Sequence, residues 1–213
     1  MSTRLFRRNR EDESASETPA PTGGSKSPRE ALNEQWLRIR AGLGGSSAID
    51  SMHAVYRAEL RDLRSAELQG CALVDEIFVT LLNGPLAERV SQYVAALRRR
   101  TAEHERLLEP GEEARSHRNP VMRAFVHEAS RVAENCTTNM RDVVLVATLQ
   151  HMVHYLIASY GTIAAHAKVL GLPEQAALFH GCAVSDKEFD ADLTALAKSE
   201  VNPAALTPQE TPH

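Results

Sequence analysis

The chain has 213 residues, 43% of them hydrophobic and 5% aromatic, with a formal net charge of -4. That length suits one domain of ordinary size plus tails, and the acidic balance argues against nucleic-acid binding by the domain as a whole. Sparse Gly and aromatic residues beside plentiful Ala, Leu, Glu and Arg favour an all-α fold over a sheet.

Residues 1–26 are rich in Ser, Thr, Pro, Gly and charge without periodicity, and are expected to be a disordered tail. Arg4, Arg7, Arg8 and Arg10 are followed by Glu11, Asp12 and Glu13 and not by an apolar segment, which speaks against a secretory leader. Ser27-Pro28-Arg29-Glu30 is a capping box with Pro at the first helical position. It predicts a short amphipathic helix and linker over 27–45, with Leu32, Trp36, Ile39 and Leu43 on one face. The helix around Trp36 is a candidate surface for a protein partner.

The predicted bundle spans 47–199. Helix one runs from about Ser47 to Leu82, with Ile49, Met52, Tyr56, Leu60, Leu63, Glu67, Val74, Phe78 and Leu81 on one stripe. Asn83-Gly84-Pro85 is a tight break, so helix two (Pro85 to Leu108; Leu86, Val90, Tyr93, Leu97 and His104 inward) is its antiparallel neighbour. Residues 109–139 form a long crossover holding an additional short helix over about 121–134. Helix three runs from Met140 to Leu170, its stripe including Leu145, Leu149, Met152, Val153, Leu156, Tyr160 and Ile163. Its run from Val143 to Ala167 lacks charged residues and is long enough to cross a bilayer. The same run holds Gln150, His151, His154 and His166, and reads as a buried bundle helix with no membrane span. Gly171-Leu172-Pro173 stops it and starts helix four, Pro173 to Lys198, with Phe179, Cys182, Asp186, Phe189 and Leu193 inward. Residues 200–213 carry three prolines and are expected to be a second disordered tail. Two hairpins joined by one long crossover are the ferritin-like four-helix arrangement.

Glu67 and Asp186 occupy stripe positions where Leu would be ordinary. A buried carboxylate is costly unless it is paired, protonated or metal-bound. Counting residues away from each interhelical link puts Glu67, Arg100, Leu156 and Asp186 at about one height. Two readings of Arg100 follow. Its guanidinium forks to both carboxylates, or it points to solvent with Arg98 and Arg99 and leaves Glu67 protonated or water-bound. His104, one turn from Arg100, could complete a small site with Glu67, hydrogen-bond Tyr160, or be a satisfied core histidine. His151 and His154 are three apart, but His154 lies well off the stripe and should face outward or toward the crossover. Cys71, Cys136 and Cys182 have no metal-type spacing and read as reduced thiols of a cytoplasmic protein. The short arginine runs read as solvated charge. No nucleophile triad motif, phosphate loop or dinucleotide fingerprint is present.

Glu59-Leu60-Arg61-Asp62-Leu63 with Ser65-Ala66-Glu67, Asn119-Pro120-Val121-Met122 through Glu128, Arg141-Asp142 through Gln150, His154-Tyr155, Ile157-Ala158, Tyr160-Gly161-Thr162, Leu170-Gly171, and Asp190 with Leu193-Thr194 together resemble the ferritin-like stress proteins of the YciE/YciF family. The resemblance covers about Met52–Ser199. It implies a ferritin-like bundle whose inner site draws Glu, Asp and His from all four helices. Glu67 matches the first-helix Glu of that pattern. The second-helix acid is replaced by Arg100 (or Ala96, one turn earlier), the third-helix acids by Val153 and Leu156, and the fourth-helix pair by Ser185-Asp186. A dinuclear site takes about six ligands, mostly carboxylates. A degenerate di-iron site without cofactor is therefore expected, its core charge cluster being Glu67, Arg100 and Asp186. If a metal remains, its ligands would be Glu67, His104 and Asp186.

Three functions follow as expectations. The first is a non-enzymatic, stress-related structural or interaction protein, a homodimer through the outward side of helix three (Val144, Tyr155, Ala158). The second is an iron or manganese oxidase or peroxide-handling protein with a remodelled site. The third is an adaptor docking a partner through the Trp36 helix.

Overall fold

The computed structural model describes residues 49–78, 84–112 and 118–206. The expected tail 1–26, the 27–45 helix with Trp36, the break at Asn83 and residues 207–213 lie outside the described residues. Within them every regular element is helical. Helix α1 is Met52–Leu73, continued by a π-helical turn Val74–Phe78; α2 is Gly84–Glu105, α3 Pro120–Asn135, α4 Thr138–Val169 and α5 Pro173–Leu196. A second π-helical turn, Ala197–Val201, leads into the short α6, Asn202–Ala205.

Local chemistry sets the ends. Helix α1 begins at Met52 and not near Ser47, because the Ser51 hydroxyl accepts the Ala54 N–H at 3.1 Å and caps the first turn. Helix α4 is closed off by Gly171, just past the C-cap Leu170, and the Gly171 φ of 71° suits glycine at that position. There the Leu172 N–H donates to the Ala167 carbonyl at 2.9 Å and the Gly171 N–H to that of Lys168 at 3.2 Å, a Schellman closure. Pro173 then opens α5, which packs along α4 as an antiparallel hairpin. The expectation of a loose tail from residue 200 is corrected over its first part. Helical turns continue to Ala205, which is buried, and α6 rests on α4. Pro203 sits in the first turn of α6, where its missing N–H costs nothing.

The inward stripes meet in one core. Leu60, Val90, Leu97, Leu145, Leu149, Val153, Leu156 and Leu193 have no exposed surface and Leu63 almost none, whereas Met52 is 40% exposed. Helix α4, long and apolar enough by composition to cross a membrane, is the central element of this bundle and touches α1, α3 and α5.

The crossover is pinned by polar contacts. The Asn119 side chain caps α3 by accepting the Met122 N–H at 2.8 Å. Its amide donates to Tyr155 Oη at 2.7 Å and Asp62 Oδ2 at 3.1 Å, and its backbone N–H to Ser65 Oγ at 3.0 Å. The loop after α2 is held by Glu112, which pairs with Arg57 and Arg61. Helix α3 therefore lies over the face of α4 that carries Tyr155, and Phe125 of α3 meets the Tyr155 ring at 6.4 Å. This corrects the expectation that Val144, Tyr155 and Ala158 form an open outward side. Val144 and Tyr155 are half-buried, and only Ala158 is exposed.

Candidate functional site

A polar layer crosses the apolar core. Glu67 of α1, His104 of α2, Tyr160 of α4 and Asp186 of α5 have no exposed surface. The Arg100 side chain of α2 is 13% exposed. The layer resolves into two adjoining groups. In the first, Glu67 Oε1 is 2.8 Å from His104 Nδ1 and accepts the Tyr160 hydroxyl at 2.7 Å. The other imidazole nitrogen, Nε2, lies 3.7 Å from Cys182 Sγ. In the second, Arg100 Nη1 donates to Asp186 Oδ1 at 2.7 Å and to the Cys182 carbonyl at 3.4 Å. The Tyr93 hydroxyl donates to Asp186 Oδ2 at 3.3 Å, and the guanidinium lies 5.6 Å from the Tyr93 ring and 5.4 Å from the Tyr160 ring.

The layer thus contains Glu67, Arg100 and Asp186, but the guanidinium fork to both carboxylates does not form. Arg100 bonds Asp186, while Glu67 takes His104 and Tyr160, each one turn beyond the residue at the counted height. Side chains on a helix lean toward its N-terminus. Glu67 leans away from the α1–α2 link and His104 leans toward it, so these two meet. Counting Cα positions alone misses that lean.

The electrostatics follow from burial. Burial pushes the Asp186 carboxyl up to about 6, against the lowering pull of Arg100 and Tyr93. Burial works to lower His104, but its hydrogen bonds to Cys182 and Glu67 and the Glu67 charge outweigh this and raise it to about 9. Tyr93 and Tyr160 are both driven well up, first by burial and then by the neighbouring carboxylates, so both remain hydrogen-bond donors. Three atoms of the layer, Glu67 Oε2, Arg100 Nε and Arg100 Nη2, are buried without a hydrogen-bond partner.

A dinuclear metal does not fit these side chains. Among the described residues no group of three or more His, Cys, Asp and Glu is placed to hold an ion. Asp186 is engaged by a guanidinium, a fixed positive charge that repels a second cation in a buried layer. Val153 and Leu156, where the resemblance implies acids, face inward with no exposed surface and offer no donor. Ser185, of the implied fourth-helix pair, is exposed. His154 points outward, 63% exposed, with Nε2 at 3.1 Å from Asp190 Oδ2, and His151 lies beside Phe125. Neither histidine reaches the layer. Sequence reasoning assigned no role to Tyr93 and Cys182. For Tyr93 a signal existed, since a tyrosine on a core stripe must find a partner for its hydroxyl.

Comparison with known proteins agrees with this architecture. Residues 51–206 match the model of the family described as Domain of unknown function (DUF892). Protein YciF of Escherichia coli K12 is 40% identical over 86 residues, which is 40% of this chain and 52% of that protein. That alignment therefore spans about half the length of the curated relative. The crystal structure of the E. coli stress protein YciF superposes with a TM-score of 0.66 at 27% identity, covering 72% of this chain and 99% of that one. YcfI from Rhodopseudomonas palustris superposes with a TM-score of 0.64 at 21% identity, covering 70% and 97%, a likeness of fold alone. The chain belongs to the DUF892 family and is a protein of the YciE/YciF type.

Proposed function

We propose that this chain is a non-enzymatic, stress-related YciE/YciF-type protein with a structural or protein-interaction role, its dinuclear metal site replaced by side-chain chemistry. The observation that carries this reading is the 2.7 Å pair between Arg100 and Asp186 in the layer where the family resemblance implies ions. A guanidinium supplies positive charge without coordination chemistry. The inward Val153 and Leu156 remove donors at two more positions. The stress assignment rests on the name of the E. coli relative.

A cytoplasmic location fits the cysteines, since Cys71, Cys136 and Cys182 are all unpaired. A homodimer would have to use surface other than the covered Tyr155 side. Among the described residues, Met52, Leu68, Val121, Met140, Val169, Val184 and Leu206 are exposed apolar side chains available to it. The adaptor role of the Trp36 helix is a separate proposal, tested by deleting residues 1–45 and measuring both melting and partner capture.

Elemental analysis of protein purified without chelators tests the central claim. Iron and manganese well below one ion per chain are expected. Stoichiometric metal that disappears in Glu67→Ala would instead establish the remodelled oxidase or peroxide-handling site at Glu67, His104 and Asp186. Sedimentation at micromolar concentration tests the dimer, and a strict monomer would defeat it.

A further inference from the structure

The structural role leaves one arrangement in the layer without a use. Cys182 Sγ, His104 Nε2 and Nδ1, and Glu67 Oε1 form a continuous line, 3.7 Å and 2.8 Å between neighbours. A thiol facing one nitrogen of an imidazole whose other nitrogen is held by a carboxylate is the nucleophile, base and orienting-group geometry of activated cysteines. Packing alone needs no such order, because a buried cysteine serves a core as a small apolar group. Two further features belong to the same place. Glu67 is wholly buried and its Oε2 has no hydrogen-bond partner. The Arg100 guanidinium touches the Cys182 carbonyl and keeps Nε and Nη2 unpartnered. Unpartnered N–H groups on a cation are suited to receive a departing anion.

We propose that Cys182 is a peroxide-reactive thiol, activated by His104 and Glu67 and oxidised to a sulfenic acid by hydrogen peroxide. The thiol releases its proton to solvent, leaving a thiolate against the imidazolium of His104, which Glu67 holds and which regains a proton from solvent once the step is complete. The thiolate attacks one oxygen of the peroxide, an S–O bond forms and the O–O bond breaks. The leaving hydroxide takes the proton from His104 and departs as water. Sulfur gives up two electrons and the peroxide gains them.

Cys182 is 5% exposed, so only a solute of about the size of water can reach it. That same burial bars bulky alkylating reagents. Gly181 beside it is exposed and bears no side chain, which leaves this edge of α5 uncovered. The other two cysteines lack the arrangement. Burial and then the Glu67 charge push the Cys71 thiol up, which disfavours its thiolate. Cys136 is half-buried at the end of α3. This inference does not depend on the proposed structural role, and it requires no metal.

The test is a pulse of hydrogen peroxide on the native full-length chain near neutral pH, quenched by unfolding in N-ethylmaleimide, with oxidation at each cysteine read by peptide mass spectrometry. Exposure alone ranks Cys136 ahead of Cys182. The expected result is the reverse, with Cys182 oxidised first, while N-ethylmaleimide applied to the native chain takes Cys136 first. Oxidation of Cys136 ahead of Cys182, or a Cys182 that stays unoxidised until unfolding, overturns the proposal. Glu67→Gln keeps the shape and should slow Cys182 oxidation about a hundredfold, the usual worth of a positioned acid–base pair. An unchanged rate in that variant also overturns it, and should the variant not fold, the ranking in the parent chain decides alone.

Discussion

Glu67 and Asp186 are equally buried carboxylates in the same layer, yet their surroundings differ in kind. Asp186 faces a permanent cation, Arg100, and one tyrosine at 3.3 Å. Glu67 faces a histidine, which can lose its charge, and a tyrosine at 2.7 Å. One group is held by a cation that no ordinary pH discharges, and the other is a relay whose proton can move. Two carboxylates of one bundle can thus carry a structural function and a chemical one, set by partners and not by burial.

The largest expected effect breaks the locked group. Arg100→Met should destabilise the fold by about 3–5 kcal/mol, because it leaves a buried carboxylate without its cation. Denaturant unfolding measures this, and a variant melting no earlier than its parent would refute the pairing. Arg100→Met combined with Asp186→Leu should recover most of the loss, since an apolar replacement of both partners removes the desolvation cost.

Next in size is the pH response of the relay. His104 in the folded chain is raised to about 9 from 6.5. Its stabilising contribution is fully present below 6.5 and is lost as pH rises through about 9, and the shift corresponds to about 3 kcal/mol. Asp186, raised to about 6 from 3.8, acts in the same direction in a lower window. Its contribution is present below 3.8 and lost as pH rises through about 6. Unfolding free energies across pH 4 to 10 should therefore fall in two steps. His104→Gln should flatten the upper step alone, while Asp186→Asn removes the lower one. A parent chain whose stability rises between pH 6.5 and 9 would contradict the relay.

The smallest contrast compares the two tyrosines. Tyr160→Phe removes a short bond to a carboxylate that has no fixed cation beside it, and should cost about 1.5–3 kcal/mol. Tyr93→Phe removes a longer bond to a carboxylate already paired with Arg100, and should cost about 1 kcal/mol or less. Equal losses would mean that the two carboxylates are not distinguished by their partners.

The fold was legible because its determinants are local or periodic. The stripes of α1, α2, α4 and α5 recur at three and four residues, and the residues they place inward, such as Leu60, Leu97, Leu149 and Leu193, are the ones with no exposed surface. The Gly171-Leu172-Pro173 stop is written in residue types that only a helix end accommodates. Less legible was the side of α4 that carries Tyr155. Its cover comes from Asn119 and Phe125, far away in the chain and joined to it only by the crossover. Helical turns beyond α5 also run past the expected limit at Lys198, because Ala205 gains burial against the bundle, which local propensity cannot register.

For the site, the residue types alone made two statements. Carboxylates on apolar stripes must be neutralised, and Val153 and Leu156 cannot hold an ion. Which partner neutralises which carboxylate is a matter of interhelical height and of the lean of each side chain, and a shift of one turn exchanges Arg100 for His104. Only the packed bundle decides that Arg100 answers Asp186, that His104 bridges Glu67 to Cys182, and that Tyr160 closes the layer. Hydrogen bonds reach about 3 Å and one helical turn advances 5.4 Å, so the sequence sets the cast of this layer while the tertiary register assigns its pairs.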